Sequence, residues 1–187
     1  MDVTRIKPRG GEVVVEDVVE AVNDATVLVT VIRAQNETGY LADVAGIAKA
    51  VKAVNPKCLV HSDAAQAASK VDCRVAEGGG ESLEGAITGY HRFNTRSLVA
   101  GLESVDLVTI VGHKLGAPKG VAALYVSDSV STANVAQGGV LLKGGGQMKG
   151  LRSGTENVPY IAGMGAAAKE VAGGLRYVPE YRLIMAR

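Results

Sequence analysis

The stretch Val105–Gly120, VDLVTIVGHKLGAPKG, decides how the rest of the chain is read. Its first seven residues are apolar β-formers broken only by Asp106 and Thr109. Such a run predicts a strand buried on both faces of a parallel sheet. Gly112 ends it, and His113 and Lys114 follow at once, where an open α/β sheet forms its ligand crevice. Gly116, Pro118 and Gly120 exclude a helix there and predict a defined turn. A lysine held at such a sheet mouth can be partly desolvated and lose its proton, as a Schiff-base lysine must. A lone lysine after a strand is usually a surface residue, so the weight falls on what surrounds it.

Toward the N-terminus, Glu16–Asn23 predicts a short helix with Val18, Val19 and Val22 on one face, weakened by its β-branched content. Val27–Ile32 predicts a strand that opens into the polar loop Gln35–Gly39. Asp43 then caps a helix to about Val54, with Val44, Ile47, Ala48 and Val51 at i, i+3, i+4 and i+7. Asn55 and Pro56 stop it, and Leu59–His61 forms a short strand running out into Ser62-Asp63-Ala64-Ala65-Gln66. Beyond the opening stretch, Val121–Val126 predicts a fourth strand, and Asn157 with Pro159 opens a helix through the 160s. The alternation predicts an α/β fold, a mostly parallel sheet with helices on both faces. Residues 76–98 break the rhythm with Gly78-Gly79-Gly80 and GYHRFNTR, and read as an atypical loop insertion.

Composition narrows the function classes. With 24 glycines, one phenylalanine and 47% hydrophobic residues, the chain suits tight strand–helix turns better than an all-β design. A net charge of +1 gives no case for nucleic acid or an anionic membrane surface. No apolar run approaches the ~20 residues of a membrane span. Cys58 and Cys73 have neither metal-ligand spacing nor the density of a disulfide framework, so no metal is expected. Cytoplasmic, reducing surroundings are the default, an organelle not being excluded. Cys58 reads as a small core residue.

Three consecutive strands end in polar tips: Asn36; Asp63 and Gln66; His113 and Lys114. In a parallel sheet such tips share one edge, within reach of a single ligand. Arg152, Ser153 and Thr155 lie on a Gly-rich loop before the last helix, a common anion-binding arrangement. An acid, an amide pair, a His–Lys tip and an anion loop are the parts of a pyridoxal phosphate site. In such a site lysine binds the cofactor and a carboxylate keeps the pyridine nitrogen protonated.

QNETG, HSDAAQ, GHK-x₃-PKG and GGGQ-x₄-RSGTENVP together resemble the signature segments of the cysteine desulfurase and selenocysteine lyase family. These are class V aminotransferase-type enzymes of fold-type I architecture, and the collinear match runs from about Val27 to Ala168. The resemblance implies a pyridoxal 5'-phosphate enzyme that removes selenium or sulfur from L-selenocysteine or L-cysteine, leaving L-alanine. It implies Lys114 as the Schiff-base lysine and proton shuttle, Asp63 at the pyridine nitrogen, and Asn36 and Gln66 beside the phenolic oxygen. It places His113 at the phosphate, and has Thr155 reach the phosphate of a second subunit, which implies a homodimer acting on a small amino acid. Val111 stands where many members carry a phosphate-binding serine, a feature that resembles the selenocysteine lyase branch. Leu115-Gly116 replaces the aromatic-containing pair usual after the lysine. The family's ring-stacking histidine, chalcogen-handling cysteine and substrate-clamping arginine have no counterpart in these 187 residues. Residues 1–187 are therefore expected to be the central part of the large cofactor domain. The rival expectations are an inactive fragment or dimerising module of such an enzyme, and another class V transaminase-like activity.

Overall fold

The computed structural model describes residues 2–68, 70, 105–131 and 139–174. The 76–98 insertion and Cys73 lie outside the described residues. Four strands, β1 (Leu28–Ile32), β2 (Leu59–Asp63), β3 (Leu107–Val111) and β4 (Ala122–Val126), form one sheet in that order. The first three are parallel, and β4 runs antiparallel to β3. Residues 112–121 between β3 and β4 are too few for the crossover that a parallel neighbour needs, so the chain turns back on itself.

Among the described residues the α-helices are α1 (Val15–Glu20), α2 (Val44–Val54) and α3 (Val158–Gly174). α2 starts where Asp43 accepts a hydrogen bond from the Gly46 amide at 2.9 Å. Its predicted stripe of Val44, Ile47, Ala48 and Val51 is fully buried, packed with Val31, Val60, Val108 and Ile110 of the sheet. Asn157 opens α3 by accepting from the Tyr160 amide at 3.2 Å. α1 is shorter than its valine pattern predicts. Asn23 spends its side chain on the Ala25 amide and its own amide on Thr26, and such local bonds compete with a helix. The opposite sheet face carries Thr30, His61 and Thr109, with Leu28 and Leu124 about half open at 47% and 50% exposure.

β3 begins at Leu107, two residues later than its apolar run, because Asp106 is used otherwise. The Asp106 amide donates to the Val60 carbonyl at 2.9 Å, and its Oδ2 accepts from the Val60 amide at 2.7 Å. The same oxygen meets Lys52 Nζ at 2.7 Å, and that ammonium also donates to the Cys58 carbonyl at 2.8 Å. One buried carboxylate thus ties α2 to the entry of β2 and β3. Truncating it strands an ammonium and an inward-facing amide. Asp106→Ala is therefore expected to lower unfolding stability by roughly 3 kcal/mol. A urea melt with an unchanged midpoint would show the tie to be dispensable.

At the other end, the sheet ladder continues one residue past each parallel strand. The Arg33 amide donates to the Asp63 carbonyl at 2.8 Å, Ala64 to Thr109 at 3.0 Å, and Gly112 to Val121 at 3.0 Å. The three polar tips therefore leave from a fixed edge.

Candidate active site

The lysine turn comes first. Gly112–Leu115 forms one turn of 3-10 helix, where the sequence excluded any helix. The glycines end it after that single turn rather than preventing it, since Gly116 adopts a left-handed φ of 90° and the Ala117 amide bonds the Gly112 carbonyl at 3.1 Å. A Cβ on Gly112 would meet the Val121 carbonyl oxygen at 2.8 Å, so only glycine lets β3 pass this close to β4. The turn leaves His113 and Lys114 exposed and anchors Leu115 in the core. α3 packs against it, with a Cβ at Gly163 falling 3.1 Å from Pro118.

On the neighbouring strand, Asp63 lies in register with Ile32 of β1 and Thr109 of β3. Its Oδ1 accepts from the Ala65 amide at 2.9 Å, which holds the carboxylate at the strand tip. One residue past that turn, Gln66 accepts from Lys70 Nζ at 2.9 Å. Lys70 has its pKa lowered by partial desolvation first and by the charge of Lys114 second. Gln66 and Lys70 form a hydrogen-bonded pair just past Asp63, and Lys70 is the member that sequence reasoning missed. Its signal was its spacing: four residues after Gln66 on a helical turn, it can reach back to the amide.

The other two predicted residues stand apart in bonding. Asn36 is exposed on a turn built by Gln35, whose side-chain oxygen accepts from the Glu37 and Thr38 amides. Thr155 is exposed on the loop before α3, and its carbonyl accepts from Arg152 at 3.4 Å. Neither side chain hydrogen-bonds Asp63 or Gln66 among the described residues. Arg152 also donates to the Gly154 carbonyl at 3.1 Å, so here it braces its own loop. Cys58 is fully buried, and burial pushes its thiol above the usual range, in keeping with a core role.

Behind Asp63, His61 spans the sheet face. Its Nδ1 lies 2.7 Å from Thr30 Oγ1 on β1 and its Nε2 lies 2.8 Å from Thr109 Oγ1 on β3. Burial lowers its pKa below 6.5, partly opposed by the Asp63 charge. The unfolded chain therefore takes up this proton before the folded one does. Stability is expected to be flat above about pH 7 and to fall as pH drops below 6.5. His61→Gln should flatten that fall. Identical pH profiles for the two proteins in urea melts would rule this out.

Comparison with known proteins identifies the family. The family model described as "Aminotransferase class-V" matches residues 1–80 and 101–185. The chain belongs to the class V aminotransferase family. Bovine (Bos taurus) selenocysteine lyase is 39% identical over 170 residues, 87% of this chain and 32% of that enzyme. Cysteine desulfurase IscS of Plasmodium falciparum is 33% identical over 169 residues, 90% of this chain and 25% of its own. A solved structure titled "SspA in complex with cysteine" superposes with a TM-score of 0.65 at 29% identity, covering 90% of this chain and 40% of that one. The chain thus spans about a third of the length of the curated relatives it matches. Class V members of this kind are pyridoxal phosphate-dependent enzymes of fold-type I architecture, and the mixed, mostly parallel sheet is the fold they share. Among the described residues, no helix is long and apolar enough to cross a membrane.

Proposed function

We propose that this chain is part of the cofactor domain of a homodimeric pyridoxal phosphate lyase of the cytoplasm. Its reaction removes selenium or sulfur from L-selenocysteine or L-cysteine and leaves L-alanine. The observation that carries the reading is the sheet edge where the fixed carboxylate of Asp63, at the end of β2, and Lys114, on the turn that ends β3, leave from adjacent parallel strands. The donor set fits the cofactor. Asp63 Oδ2 makes no hydrogen bond among the described residues and can receive the pyridine N–H, while Gln66 can face the phenolic oxygen. His113 and Lys70 supply cationic or donor groups for a phosphate, with Thr155 proposed to serve the second subunit's cofactor and Asn36 to assist Gln66.

Bound there, pyridoxal phosphate supplies an electron sink for the bonds at the substrate's Cα. Asp63 holds the proton on the ring nitrogen by its negative charge. Lys114 Nζ removes the Cα proton, and the same nitrogen can return a proton once the Cβ–Se or Cβ–S bond has broken.

The test is borohydride reduction of the protein with pyridoxal phosphate, followed by peptide mapping and an alanine assay with each amino acid. A cofactor linkage on Lys114 with alanine formation is the expected result. The alternative reading is a dimerising module without turnover. A dimer in sedimentation with no linkage at Lys114 would select it.

A further inference from the structure

We propose that His61 is a positioning residue that keeps the Thr109 hydroxyl away from Asp63, and so keeps that carboxylate available for the cofactor's ring nitrogen. The inference rests on the reading of the site given above and assigns a role to a residue behind it.

The geometry is set by strand alternation. His61 and Asp63 are two apart on β2 and share a sheet face. Thr109 is the register partner of Asp63 on β3, so its side chain stands directly beside the carboxylate. In a parallel pair such neighbours have their Cβ atoms about 5 Å apart, within reach of a hydroxyl-to-carboxylate hydrogen bond. Thr109 does not make that bond. Its Oγ1 lies 2.8 Å from His61 Nε2, two residues back along β2, and His61 Nδ1 lies 2.7 Å from Thr30 Oγ1; in the proposed tautomer Nδ1–H donates to Thr30 and Nε2 accepts the Thr109 hydroxyl proton. Bonded on both nitrogens to residues of the two flanking strands, the imidazole cannot rotate away without breaking both contacts.

Without the imidazole, the Thr109 hydroxyl would find the carboxylate as its nearest strong acceptor. A hydroxyl donating to Asp63 spreads the carboxylate's charge and competes with the pyridine N–H for it. The cofactor would then be held less tightly, with its ring nitrogen less firmly protonated. Thr30 is the exposed end of the chain of contacts and serves to orient the ring.

The experiment is a double-mutant cycle on the protein loaded with pyridoxal phosphate, read by the cofactor's dissociation constant and by the pH midpoint of its visible absorbance. His61→Leu should weaken binding about tenfold, the worth of one charge-assisted hydrogen bond diverted, and shift the midpoint. Thr109→Val alone should change little. His61→Leu combined with Thr109→Val should restore both values, because no hydroxyl remains to divert the carboxylate. A merely structural role predicts the reverse, since losing two hydrogen-bonding groups should compound a folding defect. A double variant as weak as His61→Leu, or a His61→Leu protein indistinguishable from the unmodified one, would overturn the proposal. If the unmodified protein fails to take up the cofactor on Lys114, the reading of the site falls and this inference with it.

Discussion

Lys114→Ala is expected to abolish the borohydride-reducible cofactor linkage and to reduce alanine formation roughly a thousandfold. The size follows from two tasks placed on one nitrogen, holding the cofactor and moving the Cα proton. Lys70 makes the experiment discriminating. It is a second amine with its own pKa lowered, and on chemistry alone it could accept the cofactor. Position separates them. Lys114 leaves a glycine-locked 3-10 turn on the end of β3, whereas Lys70 is tethered to Gln66 one turn beyond β2. Lys70→Ala should accordingly keep the linkage on Lys114. Peptide mapping that finds the reduced cofactor on residue 70 of the unmodified protein would reverse the two roles.

Asp63→Asn should lower turnover about a hundredfold or more with a smaller loss of cofactor affinity. The substitution is close to isosteric and leaves a side-chain oxygen for the Ala65 amide, so the turn after β2 is preserved. What it removes is the negative charge that holds a proton on the ring nitrogen. Affinity depends on several groups, among them Lys114 and the phosphate contacts, and is spread more widely. A KM and kcat measured at saturating cofactor separate the two effects. Turnover preserved in Asp63→Asn would move the ring-nitrogen partner to another residue.

Much of the frame was legible because its signals were local. The α2 stripe, the Asp43 cap and the Gly-rich exit of β3 are each readable within one turn or one strand. The single-turn 3-10 helix was missed because glycines were read as excluding helix rather than ending it. The antiparallel β4 is implied by the short loop before it, a matter of connection length rather than of composition. The candidate site reads from the sequence as three strand tips, while Thr30, Asp106 and Thr109 stand in the sequence only as polar residues within apolar runs. In the structure Asp106 fastens α2 to two strands, and the two threonines flank His61. Each interruption is bonded to a residue at least thirty positions away in sequence, so no local pattern could reveal its purpose. Lys70 was missed on other grounds, lying beyond the motif that drew attention to Gln66.

The three hydrogen bonds that extend the ladder past the strand ends bear on how the protein breathes. The amides of Arg33, Ala64 and Gly112 each sit at the root of a site loop, yet each is bonded as a sheet amide is. Their deuterium uptake should therefore follow that of the central strands, and the sheet would have to part before these amides exchange. The exposed turn around Asn36 and the loop at Thr155 should exchange far sooner. Motion near the cofactor would then belong to loops pivoting on roots that open only with the sheet itself.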